Sequence, residues 1–311
     1  MKLNDYRLSR RTFVASLAAS LAALCWVPGR LQAADRALIR KTIPGTGETL
    51  PVIGLGSSRT FDIGSDQTDL ASLVAVMQAF FANGGQVIDS SPMYGSAEKV
   101  IGELLRRSGP QNKLFAATKV WTDGEQNGIR QMEASLAKWK LDHFDLMQIH
   151  NLRDWQVHLK TLRNWKETGR IRYIGITTSH GRYHEELERL LRNEPFDFVQ
   201  LSYNIEDRRV EQRLLPLAAE RGIAVLVNRP FQRGALFGKV KGQALPAWAS
   251  EIDCASWGQF FLKFIVSHPA VTCAIPATTK VHHMEDNMTA GFGRLPDAAM
   301  RKRMGDFYAA L

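Results

Sequence analysis

Short apolar runs and longer amphipathic segments alternate along most of the chain. Apolar runs bounded by Gly, Pro, Asn or Ser predict buried strands, and apolar residues recurring every three or four positions predict helices. The strands are predicted at 52–57, 87–89, 114–120, 145–150, 171–177, 198–202, 224–228 and 272–275. The helices are predicted at 69–83, 96–107, 128–139, 156–168, 182–193, 211–221, 254–268 and 281–290. This alternation predicts βα units and a parallel sheet.

Three further segments lie outside that alternation. Strands at 39–43 and 49–52, separated by Pro-Gly-Thr-Gly, predict a β-hairpin that closes the bottom of a barrel. The insertion at 230–253 is too long for an ordinary βα loop, so we expect a lid or a belt over a cofactor. A last amphipathic stretch, 296–311, predicts a helix packed outside the barrel.

The N-terminus has the pattern of an export signal. A basic segment, 1–11, precedes an apolar run at 13–27 that is too short to span a bilayer comfortably. The junction Ser-Arg-Arg-Thr-Phe, residues 9–13, resembles a twin-arginine signal. We therefore expect residues 1–34 to be a signal peptide, cleaved near Ala33 or Ala34, that directs the protein to the periplasm. A Sec signal and an uncleaved anchor are the alternatives.

Composition and charge narrow the class of protein. The chain has 311 residues, 45% of them hydrophobic and 23% charged, which suits one globular domain spanning 35–311. The formal net charge is +9, but the first 33 residues hold five bases and one acid, which leaves 35 bases and 30 acids, or +5. No run of Lys and Arg with interleaved aromatics remains, so nucleic-acid binding is not expected. Cys254 and Cys273 either pair in an oxidising compartment or stay as buried thiols.

Four chemically capable residues follow the ends of successive strands. Asp89 ends a short apolar run, and Tyr94 follows in a Pro- and Gly-containing loop. Lys119 and His150 come at the ends of the next two predicted strands. Taken alone, each residue suits a turn or simple packing. Parallel strands would bring all four to one face, where enzymes of this architecture place their active sites.

The residue types suggest how such a site reduces a carbonyl group. Hydride delivery to the carbonyl carbon builds negative charge on oxygen, which a proton donor must neutralise. Tyr94 is the candidate donor, and a Lys119 ammonium beside it would lower its pKa towards working pH. Asp89 would pair with Lys119 and hold it in place. His150 would orient the carbonyl through a ring N–H.

These four residues, with Glu98 and Gly102 in the segment SAEKVIG, resemble the catalytic tetrad and first signature of the aldo-keto reductases. The likeness runs from about Leu50 to about Gly291. It implies an α/β fold, a (β/α)8 TIM barrel with an N-terminal β-hairpin and an extra C-terminal helix. It also implies a reductase of aldehydes or ketones that uses NADP(H), with NAD(H) as the alternative.

The resemblance also implies cofactor contacts, with departures from the family pattern. Thr177 and Thr178 stand where the family usually has Ser-Asn, and Asn228, followed by Arg229, stands where an aromatic ring commonly stacks on the nicotinamide. Lys280 is the expected partner of the adenosine 2′-phosphate, with a helix N-terminus beside it. The implied cofactor residues are Thr177, Thr178, Gln200, Asn228, Arg229, Thr278, Lys280, His283, Asp286 and Asn287.

Substrate and partners are less constrained by the sequence. Trp121, Trp155 and the long insertion with Phe231, Phe237 and Trp248 are the expected walls of the substrate pocket, and aromatic walls suit many carbonyl compounds. No carboxylate or Cys completes a metal site at either pair of histidines in the sequence, so no metal is expected. We expect a monomer that acts on a small-molecule carbonyl and does not touch the membrane after signal cleavage. The alternative is a non-catalytic NADP(H)-binding barrel that serves as a redox sensor or partner subunit.

Overall fold

A computed structural model of the protein describes residues 37–109 and 113–311. The predicted signal peptide, 1–34, lies outside the described residues. The described residues of the unit Leu38–Leu311 form ten strands: β1 (Arg40–Thr42), β2 (Thr49–Pro51), β3 (Leu55–Gly56), β4 (Val87–Asp89), β5 (Phe115–Val120), β6 (Phe144–Ile149), β7 (Ile171–Thr177), β8 (Phe198–Ser202), β9 (Ala224–Asn228) and β10 (Cys273–Ala274).

Helices follow the strands of the large sheet. They are α1 (Gln67–Ala82), α2 (Ala97–Arg107), α3 (Glu125–Trp139), α4 (Trp155–Glu167), α5 (His184–Asn193), α6 (Leu214–Glu220), α7 (Ala235–Lys239), α8 (Trp257–Val266), α9 (Val281–Thr289) and α10 (Ala298–Ala310). Short 3₁₀ turns at His150–Leu152, Arg209–Glu211, Gln232–Gly234 and Ala247–Ile252 complete the regular structure of the described residues. The predicted C-terminal helix is therefore confirmed as α10.

The strands β3 to β10 form one parallel sheet whose spatial order is the order of the chain. The sheet closes on itself, because Ile53 bridges in parallel to Ala274 of β10 and Gly54 N donates to the Ala274 carbonyl at 2.8 Å. The predicted (β/α)8 barrel is confirmed. Gly56 permits the closure: a Cβ at this position would lie 2.7 Å from the Ile275 carbonyl oxygen.

The hairpin β1–β2 seals the bottom of the barrel, as the sequence predicts. The strands pair antiparallel, and Ile43 and Leu50 join the apolar cluster inside the barrel. Inside that cluster the Phe115 ring lies 5.9 Å from Tyr173 and 5.8 Å from Phe198. These large rings fill the lower barrel, so the space available for chemistry lies at the carboxyl ends of the strands.

Local capping explains where the observed helices depart from the predicted ranges. The Asp66 carboxylate accepts hydrogen bonds from the Thr68 and Asp69 amides, so α1 starts at Gln67 rather than at 69. The Ser256 hydroxyl accepts from the Gln259 amide, which starts α8 at Trp257 rather than at 254. The predicted helix 211–221 is shorter in the structure, because a 3₁₀ turn ends at Glu211 before α6 begins.

The buried carboxylate of Glu98 connects α2 to β5 and α3. Glu98, near the start of α2, accepts hydrogen bonds from the Thr118 hydroxyl at 2.6 Å and the Ser135 hydroxyl at 2.9 Å. Gly102 lets α2 approach α3, since a Cβ there would lie 1.9 Å from the Lys138 carbonyl oxygen. These contacts fix α2, and with it the loop before α2, against β5 and α3.

The two cysteines of the barrel are free and buried. Burial raises the pKa of the Cys254 thiol to about 12, and it also raises the pKa of Cys273. Both side chains are therefore neutral thiols at physiological pH, which agrees with the second of the two expectations from the sequence.

Candidate active site

The structure brings the four predicted catalytic residues together at the carboxyl ends of the strands. Asp89 is the last residue of β4, Lys119 is the penultimate residue of β5, and His150 follows β6 directly. Tyr94 lies in the loop between β4 and α2. The side chains meet because consecutive parallel strands end at one rim of the barrel.

Lys119 and Asp89 form a buried ion pair at the base of this site. Lys119 Nζ lies 2.5 Å from Asp89 Oδ2, and the side chains are 0% and 3% exposed. Lys119 Nζ also donates to the Ser90 carbonyl at 2.6 Å. Burial opposes the charge on Lys119, but the Asp89 carboxylate and Tyr94 outweigh it, so the pKa of Lys119 is raised and the ammonium form persists.

Two glutamine amides hold the other oxygen of the same carboxylate. Gln148 Nε2 donates to Asp89 Oδ1 at 2.8 Å, and Gln200 Nε2 donates to it at 2.9 Å. Gln200 Nε2 is also 3.1 Å from Gln148 Oε1. The carboxylate is thus fully hydrogen-bonded, as a buried charge requires. Gln148 is not among the residues predicted for the site. Nothing in the sequence distinguishes it except its position two residues before His150, on the inner face of β6.

Tyr94 lies over the ion pair. Lys119 Nζ is 5.3 Å from the centre of the Tyr94 ring, and the ring meets the His150 imidazole edge-on with 5.8 Å between centres. Burial raises the pKa of Tyr94 and outweighs the lowering by the Lys119 charge, while Asp89 adds to the rise. The expected net fall in the pKa of Tyr94 is therefore not found. The phenol keeps its proton at neutral pH, which is the state that a proton donor needs.

His150 is neutral in this environment. Burial and the nearby Lys119 charge lower the pKa of His150 to about 3. Its Nδ1 lies 2.9 Å from the Ser91 hydroxyl oxygen, which fixes the ring plane. A neutral imidazole can donate one N–H to a substrate oxygen without taking the proton that Tyr94 carries. Ser91 is a second residue that the sequence reasoning missed, because its role depends on the fold of the loop after β4.

A cleft of about 870 Å³ opens above these side chains. Asp89, Tyr94 and His150 line one part of it, and the segment after β10 lines another. Nine of the predicted cofactor residues line the same cleft: Thr177, Thr178, Gln200, Asn228, Arg229, Thr278, His283, Asp286 and Asn287. Its volume suits a large organic ligand.

Two atoms in the cleft fit the proposed dinucleotide. The Thr178 hydroxyl and Arg229 Nε are buried and have no hydrogen-bond partner among the described residues. Buried polar atoms of this kind are normally paired, so they suggest a polar ligand that supplies the missing contacts. Thr178 follows β7 directly and Arg229 follows β9 directly, so both atoms belong to the strand-end rim.

Other predicted cofactor residues are engaged within the protein. Gln200 Oε1 accepts a hydrogen bond from Asn228 Nδ2 at 3.3 Å, and Gln200 Nε2 donates to Asp89. Both polar atoms of the Gln200 amide are therefore hydrogen-bonded within the protein. Asp286 accepts from the Ser256 hydroxyl and from Gln259 Nε2, each at 2.7 Å. Lys280 is exposed, precedes the first residue of α9 and does not line the cleft.

The three tryptophans predicted for the substrate pocket occupy different places. The Trp121 ring centre lies 6.3 Å from that of His150, at the edge of the site. Trp155 begins α4 and packs beneath Arg189. Trp248 packs against Phe260 and Phe307 rather than into the cleft.

Two of the three aromatic residues expected from the long insertion do line the cleft. Phe231 and Phe237, with 5.0 Å between ring centres, line the cleft together with Trp257. Trp248 turns away because its 3₁₀ turn faces α10, where Arg303 lies 4.3 Å from the centre of its ring. The sequence points to Phe231, Phe237 and Trp248 alike, and only the folded insertion shows which of these rings face the cleft.

Residues 52–303 match the family model described as the Aldo/keto reductase family, and the chain belongs to that family. It is 29% identical to Methylglyoxal reductase YeaE of Escherichia coli K12 over 256 residues, which cover 80% of this chain and 88% of the relative. It is 28% identical to the NADH-specific methylglyoxal reductase of the same organism, over 67% of this chain and 73% of the relative.

The fold has solved counterparts. An aldo/keto reductase from Klebsiella pneumoniae, crystallised in complex with NADP and acetate, superposes with a TM-score of 0.72 and is 22% identical, covering 87% of this chain and 95% of its own. Among residues 37–109 and 113–311, no helix is both long and apolar enough to cross a membrane. The same ranges hold no group of three His, Cys, Asp or Glu side chains that could bind a metal ion.

Proposed function

We propose that this protein reduces the carbonyl group of an aldehyde or ketone to an alcohol, with Tyr94 as the general acid. The observation that carries the proposal is the convergence of Tyr94, Asp89 and His150 on one cleft, with Lys119 buried beneath them and paired with Asp89. NADP(H), when bound, supplies the hydride. Thr178 and Arg229 would meet its polar groups, because both have an unpaired buried atom in the cleft.

The protein's own residues then handle the substrate oxygen. His150 donates a ring N–H to the carbonyl and orients it, while Tyr94 gives its proton as negative charge develops on that oxygen. The phenolate that remains is stabilised by the Lys119 ammonium, which Asp89 holds in position. Gln148 and Gln200 keep Asp89 in place.

The cleft and the relatives suggest which carbonyl compounds to test as substrates. Methylglyoxal reductases of Escherichia coli are 28% and 29% identical to this chain, so small dicarbonyls belong in a substrate panel. The rings of Phe231, Phe237 and Trp257 add an apolar wall, which favours aromatic aldehydes as well.

Tyr94→Phe tests the proposal, because it removes the proton donor and keeps the ring. We expect kcat for methylglyoxal and benzaldehyde to fall by about 10²–10⁴-fold, the usual contribution of a general acid. NADPH binding, measured by quenching of tryptophan fluorescence, should persist. A variant that reduces these substrates within a few-fold of the wild-type rate would refute the role of Tyr94. Failure of the wild type to oxidise NADPH with any carbonyl would favour the non-catalytic alternative.

We also propose that the protein is exported to the periplasm in its folded state by the twin-arginine route. The supporting observation is Ser-Arg-Arg-Thr-Phe, residues 9–13, directly before the apolar run 13–27. A folded barrel can carry a bound dinucleotide across the membrane, whereas an unfolded chain would leave it behind. Arg10→Lys with Arg11→Lys should hold the protein in the cytoplasm. Cell fractionation measures this, and a double variant exported as well as the wild type would exclude the route.

A further inference from the structure

Four arginines line the same cleft, and they arise from three different loops. Arg59 follows β3, Arg182 follows β7, and Arg229 and Arg233 follow β9. We call these four residues the arginine cluster. None of the four forms an ion pair with a carboxylate in the ranges 37–109 and 113–311, whereas Arg153, Arg208, Arg209 and Arg294 each do.

The positive charges of the arginine cluster act on one another. Burial lowers the pKa of Arg229, and Arg233, Arg59 and Arg182 lower it further, against the opposing charge of Asp207. Burial also lowers the pKa of His180, and the charges of all four arginines lower it further. Like charges held together without counter-ions store electrostatic energy, which an anionic ligand would release.

The backbone also holds this arrangement at a cost. Arg59 has φ of 66°, His180 63°, Arg229 53° and Arg233 59°, all in the left-handed region. Side chains with a Cβ rarely adopt that region, and residues held there cluster at ligand sites. The strain is concentrated at the rim of the cleft, where it aims cationic side chains at a common space.

The charge of the cluster exceeds that of the diphosphate bridge of the dinucleotide. Each phosphate of the bridge carries one negative charge, and the 2′-phosphate is expected at Lys280, which does not line the cleft, so the bridge offsets only part of the charge on four guanidinium groups. The remainder lies close to the reaction centre. Ser179 Oγ, which is 2.9 Å from His180 Nδ1, donates to Asn151 Oδ1 at 3.3 Å, and Asn151 directly follows His150. The Arg233 charge also acts on the Tyr94 hydroxyl.

We propose that the arginine cluster binds a negatively charged group on the carbonyl substrate, so that the enzyme prefers aldehydes and ketones bearing a carboxylate or a phosphate. Guanidinium groups suit both anions, because their N–H donors match two oxygens at once. This inference rests on the proposed reductase function and specifies its substrate class.

A matched pair of aldehydes tests the preference. The wild type should reduce 4-carboxybenzaldehyde with a higher kcat/KM than its uncharged methyl ester. Arg182→Gln and Arg233→Gln should each lower the acid-to-ester ratio of kcat/KM by about 10- to 100-fold, the value of one charge-assisted hydrogen bond, mainly through KM. Arg163→Gln is the control, since it removes the same charge from an exposed arginine that pairs with Glu194 on the barrel exterior. It should leave the ratio unchanged.

Two further measurements distinguish binding of a substrate anion from binding of the cofactor diphosphate. They also distinguish the substrate preference from the proposed reductase function. If either cluster variant weakens NADPH binding and leaves the acid-to-ester ratio unchanged, the arginines serve only the diphosphate and the inference is overturned. Calorimetric titration of benzoate, with benzamide as the neutral control, into protein saturated with NADP⁺ measures anion binding without turnover. Benzoate binding that the variants abolish supports the inference even if no aldehyde is reduced. Reduction of both aldehydes at equal kcat/KM overturns it and leaves the proposed function standing.

Discussion

Removing the charge of Asp89 should destabilise the barrel far more than removing the charge of a surface aspartate. Lys119 Nζ and Asp89 Oδ2 are 2.5 Å apart, and neither side chain is more than 3% exposed. At an effective dielectric constant of about 20, charges at this separation attract by about 7 kcal/mol. The desolvation of both ions offsets much of that attraction. Breaking a buried pair by removing one partner typically costs about 3–5 kcal/mol, and we expect this loss for Asp89→Asn.

The same substitution in an exposed pair gives the control. Lys302 Nζ and Asp306 Oδ2 lie 2.6 Å apart in α10, with side chains that are 77% and 64% exposed. Asp306→Asn should change the free energy of unfolding by no more than about 0.5 kcal/mol. The double variant Asp89→Asn with Lys119→Met should recover most of the loss, because it leaves no buried charge unpaired.

The pH dependence gives an independent check on the cause. In the wild type the pKa of Lys119 is raised above its usual 10.5, so the pair contributes fully below that pH and is lost only above it. In Asp89→Asn, burial still disfavours the ammonium, and the pKa of Lys119 in the folded state falls below its unfolded value. The folded state then releases the proton before the unfolded state does. The stability deficit should therefore shrink as the pH rises from about 6 to about 9.

Urea denaturation followed by circular dichroism at several pH values measures these free energies of unfolding. The reasoning is refuted if Asp89→Asn costs no more than Asp306→Asn, or if the double variant loses the sum of its two single losses. A deficit that does not change with pH would show that lost packing, rather than the unpaired ammonium, causes it.

Two remaining predictions concern the cofactor and the pH profile. Lys280→Ala should weaken NADPH binding by about tenfold or more and leave NADH binding unchanged, as a lost contact to the 2′-phosphate would; equal losses in fluorescence titrations of both nucleotides would show that the phosphate binds elsewhere. The kcat/KM for reduction should stay flat from about pH 5 to about pH 9, because His150 takes a proton only near pH 3 and the raised pKa of Tyr94 keeps its proton on. An acid limb near pH 6.5 would contradict the neutral state of His150.

The barrel and its four strand-end residues could be predicted because both depend on local pattern. Apolar runs of strand length that end in Asp89, Lys119 and His150 need only a parallel sheet to meet at one rim. The helix starts differ by a few residues because single side chains, such as the capping Asp66, decide them. Capping acts through a geometry that apolar periodicity does not encode.

The support around the four residues could not be predicted in this way. Gln148 and Gln200 meet at Asp89 only once β4, β6 and β8 are arranged around one interior. The arginine cluster likewise combines loops that are far apart in the sequence, so no local run of basic residues announces it. The net effect on the pKa of Tyr94 required the actual burial, which outweighs the neighbouring ammonium.

The buried ion pair also bears on whether the barrel is an enzyme or only binds a nucleotide. A buried pair seldom stabilises a fold more than apolar residues of similar volume, because desolvation consumes the attraction between its charges. Stability alone therefore does not account for Lys119 and Asp89 above the apolar cluster inside the barrel. Nucleotide binding does not account for them either, since Lys119 is 0% exposed and does not line the cleft. In the proposed reaction, stabilising the charge that forms when Tyr94 gives up its proton would account for both the position of the ammonium and the cost of burying it.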